Sequence, residues 1–230
     1  METKDCLGQI CLLKPDFLKK VYKEDKSALL KEKRPYLIAE LKYNNAPQLF
    51  AIPFQTSIKP SLPKAFWDKM PRRLETMSNM EYGILYSSMI PIKAEAILRK
   101  KEAEKEITHD DNKGEIIFRN FVVRAPDALP AEARQSFEYI KKRVMREGMS
   151  CFKDFAVNKA YAKISKTLHS ALIKYKDEKL KDILENAQNY LTNHYEAVIR
   201  NNQNPEKRVF VDMPAHYTKI AALHNLCLKV

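Results

Sequence analysis

The stretch from Arg34 to Lys64, RPYLIAELKYNNAPQLFAIPFQTSIKPSLPK, decides the fold. Tyr36 to Leu41 is short, apolar and partly alternating, which predicts a strand. Asn44-Asn45-Ala46-Pro47 is turn material, because Asn tolerates a left-handed backbone and Pro presets its own φ. Leu49 to Ile52 is again apolar and β-competent, so the two runs predict a hairpin. Pro53 lacks a ladder donor and is expected to end regular pairing. Gln55, Thr56, Ser57 and Lys59 follow directly. Two adjacent hydroxyls with a cation two residues on fit a reactive site at a strand end, and they also fit an ordinary turn.

The chain around this hairpin is of ordinary globular composition, 45% hydrophobic and 30% charged over 230 residues. That length is enough for a sizeable core. Its 41 Lys and Arg against 29 Asp and Glu leave a net charge of +12. A basic excess of that size implies polyanionic partners, nucleic acid foremost, or a solvated lysine-rich surface. Residues 1–64 carry 12 basic and 7 acidic groups, residues 65–110 carry 8 of each, and residues 111–230 carry 21 and 14. The first and last segments are therefore candidates for two walls of a basic groove. The cysteines Cys6, Cys11, Cys151 and Cys227 form no CxxC pair, and no apolar run reaches the ~18 residues of a membrane span. These features predict a reduced, soluble, cytoplasmic protein.

Taken in order, Leu7–Leu13 reads as a first strand and Asp16–Tyr22 as a short helix. Residues 60–80 read as irregular, since Pro60, Pro63 and Pro71 interrupt any long element. Trp67 within them is expected to be a packing anchor rather than a base-stacking platform. Tyr82–Ile92 reads as one strand, Ala94–Lys105 as a helix or a strand entering a charged arm, Thr108–Gly114 as a turn and Glu115–Arg124 as a strand. Composition shifts at Pro126–Pro130. Beyond it, Phe137, Ile140 and Val144 define one helix stopped by Gly148. Phe152, Phe155, Ala156, Ile164, Leu168 and Leu172 define a second. Leu180, Ile183, Leu184, Ala187, Leu191 and Val198 define a third. Val209–Val211 is a candidate closing strand, and Ile220–Leu228 is a helix or a strand. The expected architecture is α+β: a single domain over 1–230, with a small twisted antiparallel barrel-like core in 1–125 and a largely helical extension in 126–230.

Four glycines leave no phosphate-cradling loop, and no HExxH is present. His109, His169, His194, His216 and His224 lack i,i+4 metal spacing, and a lone Asp110-Asp111 is a weak metal signal. The reading therefore assigns no metal and no cofactor. A ribonuclease that works without metal uses the RNA 2′-OH as nucleophile. The protein has to orient it, supply a proton to the leaving 5′ oxygen and stabilise charge on the phosphorane. Thr56, Ser57 and Lys59 offer two hydroxyls and a cation, and Arg34 reaches the same phosphate if the hairpin brings it round.

At this level the chain resembles the endoribonuclease toxins of type III toxin–antitoxin systems, the ToxN/AbiQ group with TenpN-like features. Three pieces carry the resemblance: Arg34-Pro35-Tyr36; the strand Leu49-Phe50-Ala51-Ile52-Pro53 followed by Phe54-Gln55-Thr56-Ser57-Ile58-Lys59; and Met89-Ile90-Pro91-Ile92. Their order and spacing also match, over roughly residues 5–95. The resemblance implies a sequence-selective endoribonuclease of a phage-defence or abortive-infection system, yielding a 2′,3′-cyclic phosphate and a 5′-OH. It also implies inhibition by a repeated RNA pseudoknot, in a cyclic toxin–RNA assembly. Carried over, Thr56 and Ser57 match the hydroxyl pair, Lys59 the lysine, and Arg34 a basic position. Gln55 stands between proline and hydroxyls as in TenpN-like members, so the reactive hydroxyl is either Thr56 or Ser57.

Candidate phosphate or base contacts are Tyr36, Lys64, Arg72 and Arg73, with Lys141, Lys142 and Arg143 on the opposite wall. Two rival readings remain: a non-catalytic nucleic-acid-binding module in which Thr56–Lys59 is a turn, and a protein-interaction protein whose basic charge is incidental.

Overall fold

The structure, a computed structural model, describes residues 3–24, 34–43, 45–71, 80–98 and 129–195. The predicted elements at Glu115–Arg124, Val209–Val211 and Ile220–Leu228, the Thr108–Gly114 turn, and the candidates Arg72 and Arg73 lie outside the described residues.

Among the described residues, six strands form one antiparallel sheet: β1 (Ile10–Cys11), β2 (Tyr36–Tyr43), β3 (Ala46–Ile58), β4 (Trp67–Lys69), β5 (Glu81–Leu85) and β6 (Ile90–Ile92). The order is β1-β2-β3-β5-β4, with β6 also on β3. The predicted barrel is corrected: among the described residues β1 and β4 end the sheet without pairing to each other, so it is not closed. A two-residue β1 and a three-residue β4 offer too short a ladder at either edge to close it.

The β2–β3 hairpin is tighter than its composition suggests. Tyr43 pairs with Ala46, so only two residues separate the strands. Asn45 takes φ of 62°, the left-handed conformation that two-residue hairpin turns require. Pro53 does not end the strand. It pairs with Tyr36, and β3 runs on to Ile58. Phe54 donates its N–H to Pro35 O at 3.0 Å, toward β2, so the nitrogen of Pro53 faces the other edge. There β6 covers Leu49–Ala51 and β5 covers β3 from Phe54 onward. Pro53 falls in the gap between them, where no donor is needed. The gap exists because Tyr82–Ile92 is not one strand but β5 and β6 separated by a 3-10 turn at Tyr86–Ser88.

Both faces are buried along Tyr36–Ala39 of β2 and Phe50–Phe54 of β3. Leu37, Ala39, Leu41, Phe50, Ile52 and Phe54 pack with Leu172, Ile183, Ala187 and Tyr190 from the C-terminal helix. Tyr36, Ile38 and Ala51 face Leu18 and Val21 of α1 (Pro15–Glu24) and Ala96 and Ile97. Burial on two faces explains why the strands read as continuous apolar runs rather than strict alternation. Each fully buried Leu or Ile contributes about 1.5–3 kcal/mol.

The helical part begins where composition shifts. The first helix, α2, is Ala131–Glu147 and ends at Gly148, whose φ is 66°. The second and third predicted helices are one: α3 runs Phe155–Tyr190, 36 residues and about 54 Å at the standard rise. The two apolar patterns belong to its two halves, which have different partners. The first half packs on α2 through Phe137, Ile140, Val157, Ile164 and Leu168. The second half packs on the sheet. Lys176, only 2% exposed, donates from Nζ to Gly8 O at 2.8 Å and pairs with Asp177. Gln188 accepts from the Lys42 N–H at 2.8 Å and donates to its carbonyl at 3.0 Å, covering the free edge of β2.

Candidate active site

The two-residue connection between Tyr43 and Ala46 sets the register of the hairpin. Tyr36 opposes Pro53, so two residues earlier Arg34 stands across from Gln55. The contact is made: Arg34 Nη1 donates to Gln55 Oε1 at 3.3 Å. Arg34 is 7% exposed, and its buried Nε has no hydrogen-bond partner among the described residues. Among the described residues no carboxylate pairs with this guanidinium. Burial pulls its pKa down from the usual arginine range, while the nearby Tyr36 phenol acts in the opposite sense. The same burial pushes the Tyr36 hydroxyl up to about 12, with the charge of Arg34 drawing it back. A buried cation with one neutral partner recovers little of its desolvation cost.

Gln55 lies at the start of an irregularity. It pairs with Gly83, whereas Ile58 pairs with Glu81, so β3 carries one residue more than β5 between these points. Thr56 and Ser57 occupy that bulge, a device that re-aims side chains at strand ends. They are therefore part of β3 and not of a turn beyond it. Thr56 is half-buried and Ser57 is exposed. Among the described residues neither hydroxyl has a side-chain hydrogen bond. Lys59 follows the strand, exposed, and its carbonyl accepts from the Leu62 N–H at 3.0 Å. Arg34, Gln55, Thr56, Ser57 and Lys59 thus gather at one end of β3.

The other candidates separate from this group. Tyr36 is buried in the α1-side core and presents no face for base stacking. Lys64 Nζ sits 4.0 Å from the centroid of Trp67. Trp67 is buried and donates from Nε1 to Leu62 O at 3.0 Å, which makes it the expected anchor of the 59–66 loop. Arg143 is spent within the fold, donating to Glu147 and Asp154 at 2.8 Å each and to the Tyr139 hydroxyl at 3.0 Å. These partners raise its pKa, the Glu147 bond first. Lys141 is half-buried and Lys142 exposed on α2, whose core holds no sheet residue.

Three groups escaped the sequence reading. Gln55 stood out only as an interposed residue, although the register that pairs Tyr43 with Ala46 already places it across from Arg34. Asp68 accepts from the Tyr86 hydroxyl and, at 2.9 Å, from Asn186 Nδ2, tying β4 and β5 to α3. Burial and the Asp68 carboxylate drive the Tyr86 phenol far above its ordinary value. His194 stacks on Tyr190 at 5.3 Å and meets Phe66 edge-on at 5.0 Å, with its Nδ1 buried and unpartnered among the described residues. No sequence spacing signals either of these. Among the described residues no three His, Cys, Asp or Glu side chains cluster to hold a metal ion, and no helix is long and apolar enough to cross a membrane.

No known family model matches the sequence, and no curated protein matches it. A solved structure described as concerning bacterial type III toxin–antitoxin systems, with selective toxin inhibition by a non-coding RNA pseudoknot, aligns over 70% of this chain and 95% of that chain. The TM-score is 0.33 and the identity 13%, a likeness too slight to carry weight for fold or function.

Proposed function

We propose that this protein is a metal-independent endoribonuclease toxin of the type III toxin–antitoxin class. It cuts RNA to a 2′,3′-cyclic phosphate and a 5′-OH and is inhibited by a repeated pseudoknot RNA. The observation that carries this reading is the buried Arg34 guanidinium, held by Gln55 beside the Thr56–Ser57 bulge and Lys59. The net charge of +12 and the ordered sequence resemblance support it.

In this reading the scissile phosphate lies at the end of β3. The RNA 2′-OH attacks phosphorus and its proton leaves to a base. The P–O5′ bond breaks, and the 5′ oxygen takes up a proton. Lys59 and Arg34 stabilise the charge that builds on the non-bridging oxygens, the largest contribution a preorganised site makes. Thr56 or Ser57 hydrogen-bonds the phosphate or the 2′-OH and fixes the in-line geometry. Gln55 holds Arg34 in place. The wider partners of the reading are substrate mRNA and the antitoxin RNA in a cyclic assembly.

Regulated expression in bacteria tests the reading. Wild-type protein arrests growth, coexpressed pseudoknot RNA relieves the arrest, and Lys59→Ala removes it while the protein still accumulates. Arrest that persists undiminished in Lys59→Ala favours the non-catalytic binding module. No arrest, with no nucleic acid copurifying, favours the protein-interaction reading.

A further inference from the structure

The α2–α3 hairpin has a face that carries no packing contact among the described residues. Residues 155–174, the half of α3 that lies against α2, hold four lysines and no Asp or Glu. Phe155, Lys159, Lys163 and Lys166 fall at i, i+4, i+8 and i+11, which places them in one stripe along the helix. All four are exposed, and Phe155 is 82% so. The opposite side, Val157, Ile164 and Leu168, is the one buried against α2. Among the described residues none of Lys159, Lys163 and Lys166 has an ion pair.

The head of the stripe is built rigidly. Asp154 caps α3 by accepting from the Ala156 N–H at 2.6 Å, and Arg143 holds the same carboxylate from α2 at 2.8 Å. Phe155, the first residue of the helix, is exposed to solvent close to Lys153, which is also exposed. A ring so far out of the core has no packing role among the described residues.

We infer that this stripe is a binding surface for a single-stranded segment of RNA, with Phe155 stacking on a base and Lys159, Lys163 and Lys166 following the backbone phosphates. The choice of RNA as polyanion rests on the proposed function; the stripe itself rests on the geometry above. Successive members stand about 4.5–6 Å apart along the axis, a step on the scale of neighbouring phosphates. An aromatic platform beside a basic track is the usual construction for single-strand binding. A membrane fits less well, because Phe155 is the only large apolar side chain in the stripe and interfacial helices bury a broad apolar face. The RNA wall placed at Lys141–Arg143 from sequence thus moves to the outer face of α3.

Binding of a fluorescein-labelled, mixed-sequence single-stranded RNA to the full chain, by anisotropy from about 50 to about 200 mM salt, tests this. Neutralising three single-strand phosphate contacts in the triple variant Lys159→Gln/Lys163→Gln/Lys166→Gln lowers the slope of log K against log salt by about 2. Phe155→Ala weakens binding roughly ten-fold and leaves the salt slope unchanged. A wild-type protein that binds this way without cleaving RNA keeps the stripe and rejects the ribonuclease reading. An unchanged slope in the triple variant, or unaltered affinity in Phe155→Ala, overturns the inference. So does Phe155-dependent capture by phosphatidylserine vesicles without RNA binding. All three lysines and Phe155 are exposed, so loss of folding does not confuse the result, and circular dichroism verifies this.

Discussion

Replacing Arg34 by methionine separates a functional cation from a structural one. Taking a guanidinium out of water costs several kcal/mol even after relaxation. Arg34 recovers little of that: one bond to a neutral amide at 3.3 Å, with Nε unpaired among the described residues. A hydrogen bond to a charged group returns about 1.5–3 kcal/mol, and this one is at the long end of the range. A methionine of similar reach removes the desolvation cost while filling a comparable buried volume. Arg34→Met is therefore expected to unfold in urea within about 1 kcal/mol of wild type, or to be more stable by about 1–2 kcal/mol. Gln55→Leu acts the other way. It leaves the charge in place without its acceptor and destabilises by about 1.5–3 kcal/mol. The double variant returns close to Arg34→Met, since the two residues are in contact and their effects do not add. Urea denaturation followed by far-ultraviolet circular dichroism, with unchanged m-values, reads all three. If Arg34→Met loses more than about 3 kcal/mol, the guanidinium is a tie of the fold, and its place in the site has to be given up.

Three further outcomes follow from the packing. Gly83→Ala puts a Cβ 2.2 Å from the Asp68 carbonyl, backbone that cannot yield, and destabilises by about 1–3 kcal/mol or more; thermal unfolding measures it. Tyr86→Phe deletes the bond to Asp68 and costs about 1.5–3 kcal/mol in urea, whereas an unchanged midpoint rejects that bond as a tie between β4 and the turn after β5. Burial holds the His194 imidazole below its usual value of 6.5. The unfolded chain gains a proton as pH falls through about 6.5 while the folded chain resists it, so stability is full above that pH and declines as pH falls through the lowered folded value. His194→Phe flattens that decline between about pH 7.5 and about pH 5.5, and a persistent slope assigns it to other groups.

Much of the fold is written locally. The Asn pair, the apolar runs flanking it and the Gly148 stop are short-range signals, and the β2–β3 hairpin and α2 form where they point. What local pattern hides is partnership. Pro53 reads as a strand end because a missing N–H matters only if a neighbour needs it, and the β5–β6 gap is a tertiary fact. The two apolar phases of α3 read as two helices because one helix changes partners halfway, from α2 to the sheet. The open sheet depends on how short β1 and β4 are, which no single segment reveals. At the site the hydroxyls and cations were visible as residue types, yet their grouping came from register. Arg34 meets Gln55 because the turn holds two residues, not four. Arg143, conspicuous in sequence as part of a basic run, is consumed by Glu147 and Asp154, and the unspent charge sits on α3 instead.

The most direct test of the central claim is the chemistry of the cut ends. Purified protein is incubated with a labelled messenger RNA in EDTA, and the products are resolved by mass spectrometry beside Lys59→Ala. The account predicts fragments ending in 2′,3′-cyclic phosphate and beginning with 5′-OH from the wild type, and intact RNA from Lys59→Ala. RNA left whole by the wild type, ends of any other kind, or equal cutting by Lys59→Ala would contradict it.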